Sequence, residues 1–304
     1  MDRLTSMAVF VRAVDLGSFA AAAAALDLSA PMVGKHVRFL EERLGARLIN
    51  RTTRRQHLTD LGRAYYERCR LVLAEAEAAD ALAEDAQGEP RGTLKVTMPV
   101  LFGQLCAAPV LIDLARRHPR LALELSLSDP ITDLAETGFD LAIRTGALED
   151  RAGIVGRLVA RQPMTVCAAP AYLDRHGRPE RIEDLSSHQA ILYGRPGRLR
   201  PWLFPEDGGA PREILPPSRL KLDDLAAVRD AAAAGLGLAW LPRWLMREQL
   251  RSGALVPLMS GRRPFLYDSY VLWLKTPRLP LKMRLAVDAL AAALPGMMDE
   301  ASGE

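Results

Sequence analysis

Apolar side chains in the first sixty residues recur every three or four positions, in groups separated by polar residues or glycine. This spacing predicts three helices, because residues three and four positions apart share one face of a helix. Gly17 is expected to end the first helix, Ser18 to cap an alanine-rich second helix, and Ser29 to cap the third. The apolar positions are Met7, Phe10, Val11 and Val14 in the first helix and Val33, Val37, Leu40 and Leu44 in the third.

The second and third predicted helices are short and are joined by a tight turn at Asp27 and Leu28, which is typical of a helix-turn-helix. The second helix of such a pair enters the major groove of DNA with its N-terminal residues on base edges. Its outer face carries small residues, which permit close approach, and two cations, which can reach a guanine edge or a phosphate. The residues expected to contact DNA here are Ser29, Ala30, Pro31, Gly34, Lys35 and Arg38. Glycine inside a helix lowers its stability by roughly 1 kcal/mol relative to alanine. Either close approach of the helix to DNA or neutral drift explains why Gly34 is present.

The segment after the third helix, residues 45–63, reads as a turn, a short strand, a tip and a second strand. A hairpin in this place is a wing. Arg51, Arg54 and Arg55 lie near its tip, where guanidinium groups suit phosphate or minor-groove contact. A solvated basic loop is the alternative interpretation.

Residues 61–89 read as one long helix whose apolar positions are spaced by alternating fours and threes, as in a coiled coil. One helix cannot bury such a stripe alone, so we expect a homodimer through this helix. The alternative is that the stripe packs on a later domain of the same chain. Gly88 and Pro90 then mark a hinge. The positions of the stripe are Tyr65, Cys69, Val72, Ala76, Ala79, Ala83 and Ala86.

From residue 91 onward, strand-like apolar runs alternate with helical patterns, which favours an α/β fold with a parallel sheet. The pattern occurs twice, with a crossing near Arg161, and so predicts two lobes with a cleft between them. Ligands of such sheets bind outside the carboxyl ends of the strands. The predicted organisation is a winged helix-turn-helix at residues 1–60, a linker and dimerisation helix at 61–89 and a bilobed domain at 90–304. Lobe I is expected to span about 91–161 and 267–304, and lobe II about 162–266.

The 304-residue chain carries a net charge of only +3, but its charges are unevenly placed. From Lys35 to Arg55 there are seven cationic side chains and two acidic ones, whereas acids predominate from Glu67 to Glu89. A basic block in a nearly neutral chain indicates that one region contacts a polyanion, and a solvated helix face is the plainer alternative. No run of eighteen apolar residues occurs, and charged residues interrupt the N-terminal apolar pattern. We therefore expect neither a transmembrane helix nor a signal peptide, no membrane partner, and a location in the cytoplasm.

The histidines and cysteines show no catalytic or metal-binding pattern. None of the five histidines pairs with a cysteine or carboxylate at metal spacing, and neither a nucleophile elbow nor a dinucleotide fingerprint is present. Cys69, Cys106 and Cys167 stand far apart, so we expect buried, neutral thiols. A redox role would need Cys106 with Cys167. We expect no enzyme activity, no metal and no cofactor.

The N-terminal sequence resembles the DNA-binding domain of the LysR-type transcriptional regulators over about sixty residues without a gap. The rear half resembles the effector-binding domain of the same family, which is similar to the bilobed periplasmic solute-binding proteins. The residues that carry the first resemblance are Gly17, Ser18, Phe19, Leu26, Leu28, Ser29, Val33, the run 40–45, Leu48, Arg51, Leu58, Thr59 and Gly62. Those that carry the second are the runs 97–99, 102–103, 139–144, 169–173, 234–237 and 241–242.

The resemblance implies a transcription regulator that binds double-stranded DNA and, in its C-terminal half, a small-molecule effector. Small carboxylates and aromatic acids are the effector classes that the resemblance implies. It also implies a homodimer that assembles further into a homotetramer. RNA polymerase is a candidate partner. Arg144 is the best candidate to hold a carboxylate, and pairing with Asp140 is the alternative for it. The implied effector-binding residues are Pro99, Val100, Leu101, Phe102, Ser128, Asp129, Arg144, Thr145, Ala168 and Asp223.

Two other functions compete with this hypothesis. The first is a winged-helix architectural or chromosome-associated protein that binds no ligand and whose rear half serves only for oligomerisation. The second is a solute-binding protein or an enzyme whose basic N-terminal region is incidental to its function.

Overall fold

The computed structural model describes residues 1–51, 56–87, 89–130, 134–147, 153–195 and 198–299. Its N-terminal part is a winged helix-turn-helix, as predicted, in which the two wing strands pair antiparallel. The elements are α1 (Arg3–Asp15), α2 (Phe19–Ala25), α3 (Ala30–Leu44), β1 (Ile49–Arg51) and β2 (Gln56–Leu58).

The three predicted helix ends are confirmed, although one of the two serine caps makes no side-chain hydrogen bond. Gly17 follows α1 with a φ of 67°, a left-handed conformation that glycine adopts without strain. The Ser18 hydroxyl accepts a hydrogen bond from Ala21 N at 3.0 Å and so caps α2. Ser29 holds the capping position of α3, but its side chain makes no capping hydrogen bond. Its backbone carbonyl instead accepts from Val33 N at 3.1 Å, so the side chain is not used for capping.

One long helix follows, α4 (Asp60–Gln87), as predicted. The expectation that Tyr65 and Cys69 face a partner helix is wrong. Cys69 is fully buried in the winged-helix core, and the Tyr65 ring lies 5.9 Å from the Phe10 ring on α1. The first three turns of α4 therefore complete this chain's own core by packing against α1. Val72 is the first position of the stripe that is exposed.

The remaining chain forms a mixed α/β structure. Its first elements are β3 (Gly92–Met98), α5 (Val100–Phe102), a π-helical turn (Gly103–Ala107), α6 (Ala108–Arg117), β4 (Leu121–Leu127), α7 (Leu134–Thr137), β5 (Leu141–Thr145) and β6 (Ile154–Ala168). Next are α8 (Pro170–His176), a 3₁₀ turn (Ile182–Ser187), β7 (Ile191–Arg195), β8 (Arg198–Leu199), β9 (Trp202–Phe204), β10 (Arg212–Ile214) and β11 (Leu220–Leu222). The last are α9 (Leu225–Ala233), β12 (Ala239–Pro242), a 3₁₀ turn (Arg243–Met246), α10 (Arg247–Ser252), β13 (Val256–Leu258), β14 (Leu266–Leu274) and α11 (Leu281–Asp299).

The expectation of a parallel sheet is only partly correct. β3 pairs in parallel with β4 and β5, and β11 pairs in parallel with β7. In contrast, β14 runs antiparallel to both β5 and β6, and β12 and β13 run antiparallel to β6. In the sheet, β14 lies between β6 and β5, although it follows both in the chain.

The long strand β6 belongs to both lobes. Its first part pairs with β14 and its last part with β12, so it passes from one lobe into the other. Along it Cys167 packs in one core cluster, whereas its neighbours Val166 and Ala168 pack in another, because strand side chains alternate between faces. The first cluster includes side chains of β3, α6, α9 and α11. The second cluster includes Tyr172 and Trp202.

The hairpin of β9 and β10 is an element that the sequence pattern did not predict. Within the part of the chain that the structure describes, no helix has the length and apolar character needed to cross a membrane.

Candidate nucleic-acid interface and ligand cavity

Helix α3 has a buried face and an exposed face. Val33, Val37 and Leu40 are fully buried against α1, α2 and the start of the wing. The opposite face holds the residues predicted to contact DNA: Ser29, Ala30, Pro31, Lys35 and Arg38 are exposed, and Gly34 is half-buried. The structure therefore brings these six residues together at the N-terminal half of α3, on a surface free of other parts of the described chain.

A buried histidine fixes α3 on α1. Ser6 Oγ donates to the carbonyl of Asp2 at 2.7 Å, so its single proton is already used. His36 Nδ1 lies 3.0 Å from Ser6 Oγ and is therefore the donor of that hydrogen bond. The contact joins α1 and α3 by a buried polar bond, one residue after Lys35.

The junction between α3 and the wing depends on the carboxylate of Glu41, a contact that the sequence did not predict. Glu41 Oε1 accepts from Leu48 N at 2.9 Å and from Ile49 N at 3.2 Å. Thr59 Oγ1 donates to the carbonyl of Arg47 at 2.9 Å from the other side of the wing. These bonds orient β1 and β2 relative to α3. The acidic position before the wing was visible in the sequence, but its partners are backbone amides, which leave no sequence signal.

The basic tip of the wing lies largely outside the described residues. Arg51 ends β1. Arg54 and Arg55 lie in the stretch 52–55, which the structure does not describe.

The second candidate site is a cavity of about 560 Å³ whose walls come from both lobes. A volume of this order is typical of small-molecule sites. Six of the ten residues that the resemblance implied line it, namely Pro99, Leu101, Phe102, Asp129, Arg144 and Thr145.

The other four lie outside the lining, for local geometric reasons. Val100 shares one helical turn with two residues that do line it, and successive helical side chains point about 100° apart. Ser128 and Asp223 each precede a lining aspartate in extended chain, where neighbouring side chains point to opposite sides. Ala168 is buried in the second core cluster, beyond the part of β6 that borders the cavity.

The structure adds lining residues that sequence reasoning missed. Five of them are aromatic and come from β7, β9, β12, the 3₁₀ turn after β12, and β14: Tyr193, Trp202, Trp240, Trp244 and Tyr267. Gln162 and Met164 of β6 and Arg200 just before β9 also line the cavity. Their spacing follows no motif. The one available signal was that three of the chain's four tryptophans occur between residues 202 and 244.

Charges of both signs border the cavity. Burial lowers the pKa of Arg144 from its usual value, and the Asp129 carboxylate acts in the opposite direction. Arg144 Nη1 donates to the carbonyl of Ile143 at 2.8 Å, which holds the guanidinium near β5. The proposed pairing partner Asp140 accepts instead from Lys282 Nζ at 3.2 Å.

The helix starts at the cavity are already capped by acidic side chains. Asp129 Oδ1 accepts from Val100 N at 3.0 Å, and Asp224 Oδ1 accepts from Ala227 N at 2.7 Å. The amides of Val100 and Ala227 are therefore already bonded within the protein.

A buried polar network joins the lobes beside the cavity. Gln162 Nε2 donates to Ser269 Oγ at 2.6 Å and to Thr145 Oγ1 at 3.0 Å. Its Oε1 accepts from Trp244 Nε1 at 2.7 Å. β5, β6 and β14 are thereby tied to the turn that carries Trp244, whose ring packs edge-on against Phe102 at 5.7 Å.

The three thiols are buried, as expected. Burial raises the pKa of Cys69 to about 11 and the pKa values of Cys106 and Cys167 to about 12. Thiols of this kind stay protonated at neutral pH and are weak nucleophiles.

The short helix α7 connects the cavity to the helix-turn-helix within the same chain. Leu134, at the start of the short helix α7, lines the cavity. Thr137 at its end accepts a hydrogen bond through its carbonyl from Arg12 Nη2 on α1, at 3.4 Å. Beside it, Gly138 leaves room for the Arg12 guanidinium, since a Cβ there would lie 2.7 Å from Nη1.

Two protein-family models match the chain. The model described as bacterial regulatory helix-turn-helix protein, lysR family, matches residues 4–63, and the model described as LysR substrate binding domain matches residues 87–295. The HTH-type transcriptional activator AaeR of Escherichia coli (strain K12) is 33% identical over 291 residues, which cover 95% of this chain and 93% of AaeR.

Solved structures give the same result. The structure of CrgA, a LysR-type transcriptional regulator from Neisseria meningitidis, has a TM-score of 0.59 and 30% identity, covering 95% of this chain and 97% of CrgA. The full-length structure of AphB, a virulence activator of Vibrio cholerae, has a TM-score of 0.59 and 26% identity, covering 96% of this chain and 99% of AphB.

Proposed function

The chain belongs to the LysR family of bacterial transcriptional regulators, with a helix-turn-helix domain and an effector-binding domain, and we propose that it binds specific DNA sites under the control of a small carboxylic acid. It is a regulator and not an enzyme. The family matches do not support the alternative of a ligand-independent architectural protein, since residues 87–295 match a substrate-binding domain. The proposed location is the cytoplasm, and the proposed domains keep the boundaries 1–60, 61–89 and 90–304.

The exposed face of α3 is the observation that carries the DNA-binding proposal. Lys35 and Arg38 stand on the same side as Ala30, Pro31 and Gly34, so cations flank a strip of small residues. Small side chains let the helix enter the groove closely, and the cations then reach base edges or phosphates. The arginines of the wing are proposed to add contacts to the DNA backbone.

Replacing Lys35 by alanine is expected to weaken binding to the preferred duplex by about tenfold, with a smaller effect on scrambled DNA, because a base contact is lost. The preferred duplex is first selected from a random-sequence library with the wild-type protein, and affinities are then measured at fixed salt. Arg68→Ala removes one exposed cation from α4 and is the matched control. Equal losses in the two variants, on both duplexes, would contradict base reading by α3.

Arg144 is the proposed anchor for the carboxylate of the effector. Its guanidinium borders the cavity and is held there by its hydrogen bond to the backbone of β5. Arginine binds carboxylates through paired, charge-assisted hydrogen bonds. The capped helix starts support the same assignment, because they leave the anion to the guanidinium groups.

Benzoate is expected to raise the melting temperature of the wild-type protein more than benzamide, which has the same ring without the charge. Arg144→Met keeps a long side chain but removes the charge, and should weaken benzoate binding by about tenfold. Arg157→Met, on an exposed arginine of β6 that pairs with Asp288, is the control. If benzamide and benzoate bind equally well to the wild-type protein, the carboxylate proposal is wrong.

The path from Leu134 through α7 to Arg12 supports coupling between the ligand cavity and the DNA-binding domain. A ligand that binds one arrangement of α7 better than another shifts the population of that arrangement. Because Arg12 lies on α1, which packs against α3, such a shift changes how the recognition helix is presented to DNA.

LysR regulators form oligomers. We propose that this chain dimerises through α4, where Leu71 and Val72 are 57% and 43% exposed, and that dimers form tetramers. RNA polymerase is the further partner proposed for a regulator of transcription.

A further inference from the structure

The effector-binding domain carries a second groove, which shares no lining residue with the ligand cavity. Its volume of about 620 Å³ is within the range of small-molecule sites. Of its eleven described lining residues, nine are apolar, two are arginines and none is acidic. We name it the outer groove. Its lining consists of Leu158, Val159, Ala160, Arg161, Pro163, Arg243, Pro264, Leu266, Ala291, Pro295 and Met298.

The outer groove and the ligand cavity lie on opposite faces of the same two strands. Leu266 of β14 pairs in register with Pro163 of β6, and both line the outer groove. The next pair, Tyr267 with Gln162, lines the ligand cavity instead. Successive positions of a strand point to opposite faces, so the two sites are separated by the thickness of the sheet. A ligand in the outer groove therefore packs on the back of the strand that joins the lobes.

The apolar surface of the outer groove is accessible to a ligand. Val159 and Met298 are buried beneath it, whereas Leu158 and Leu266 are 37% and 38% exposed. Covering exposed leucines removes apolar area from water, which favours binding of an apolar group. The described lining contains no aromatic side chain, so it offers no ring for stacking. Such a surface suits a flexible aliphatic chain.

The charge in the outer groove is positive. The Arg161 guanidinium pairs with Asp268 at 3.4 Å and is still 63% exposed. An exposed ion pair of this kind contributes little stability, so it leaves Arg161 able to meet another anion. Arg243, from the 3₁₀ turn after β12, is half-buried in the lining. Guanidinium groups beside apolar surface, with no carboxylate in the described lining, favour a ligand with one anionic group.

We propose that the outer groove binds an aliphatic chain that ends in a single anionic group, such as a medium-chain fatty acid. The chain packs on Leu158 and Leu266, and the carboxylate binds Arg243. This site is separate from the one proposed at Arg144, and a ligand can occupy each of them at the same time.

The test titrates octanoate into the full-length protein by calorimetry, with excess benzoate present to occupy the ligand cavity. Octanoate is expected to bind about tenfold more tightly than hexanoate, because each buried CH₂ group improves affinity by about threefold to fourfold. Octan-1-ol has the same chain without the charge and should bind about tenfold more weakly than octanoate.

Two pairs of variants locate the site. Arg243→Met should weaken octanoate binding about tenfold, whereas Arg251→Met, at an exposed arginine outside the lining, should leave it unchanged. Leu266→Glu places a carboxylate in the groove and should abolish binding. Leu236→Glu changes a leucine of similar exposure, 43%, outside the lining and is its control. If Arg243→Met fails to fold, as judged by its melting curve, the two leucine variants give the same comparison.

Three results overturn the proposal. The first is equal affinity of the wild-type protein for octanoate and octan-1-ol, or no binding of octanoate at all. The second is octanoate binding that survives in both Arg243→Met and Leu266→Glu. The third is binding that is lost in Arg144→Met instead, because octanoate then occupies the ligand cavity. None of them contradicts the proposed function, which depends on the comparison of benzoate with benzamide.

Discussion

Replacing Gly62 by alanine is expected to destabilise the winged helix-turn-helix by about 3 kcal/mol or more. A Cβ at this position would lie 2.0 Å from the carbonyl oxygen of Leu48 and 2.9 Å from its carbon. That backbone cannot move aside, because Leu48 O accepts from Thr59 N at 3.0 Å and Leu48 N donates to Glu41. The first turn of α4 must therefore shift away from the wing, and the apolar core between them opens.

Hydrogen exchange at increasing urea concentration measures this effect, since it reads the amides of α1, α2 and α3 separately from the rest of the chain. Gly34→Ala is the matched control in the same domain. Its Cβ would lie 3.8 Å from the Phe19 ring, an ordinary contact, and alanine favours a helix by roughly 1 kcal/mol. Gly34→Ala should therefore be as stable as the wild type or more so.

The two glycine variants also separate two explanations of Gly34. If Gly34→Ala folds well but binds the selected duplex more weakly, close approach of the helix to DNA accounts for the glycine. Unchanged DNA affinity would indicate neutral drift. A stable Gly62→Ala protein would show that α4 does not approach the carbonyl of Leu48 as closely as described.

Replacing Gln162 by leucine is expected to cost about 2 to 3 kcal/mol of stability in the effector-binding domain. Gln162 is 4% exposed, and its amide bonds to two hydroxyl groups and to the indole of Trp244. Leucine fills a similar volume but leaves the buried indole N–H without its acceptor. The same change should shift tryptophan fluorescence, because Trp244 loses the bond that fixes its ring against Phe102.

Gln249→Leu provides the matched control for this prediction. Gln249 Oε1 is buried and has no hydrogen-bond partner among the described residues, so an apolar replacement there should change stability by less than about 0.5 kcal/mol. Urea unfolding followed by tryptophan fluorescence compares the two variants. Similar losses in both would mean that the network around Gln162 contributes no more than ordinary packing.

The N-terminal architecture was predictable because its signals are local. The spacing of Val33, Val37 and Leu40 defines the buried face of α3, and Gly17 and Ser18 mark helix boundaries through their own backbone and side-chain chemistry. The exposed face follows directly once the buried one is known. The partners of Tyr65 and Cys69 were not predictable, because an apolar stripe does not specify whether its own chain or another copy covers it.

By itself the sequence determined the winged helix-turn-helix, the long helix α4, the α/β character of the rear half and the family. Each of these follows from periodicity within one element or from residues close together in the chain. Only the tertiary structure decided the antiparallel entry of β14, the buried contacts of Gln162 and the cavity that Trp202, Trp240 and Tyr267 border together. These four residues lie on separate strands up to 105 positions apart, and which of their faces meet depends on strand register and pairing. Register is fixed by contacts across the whole domain, which no local pattern encodes.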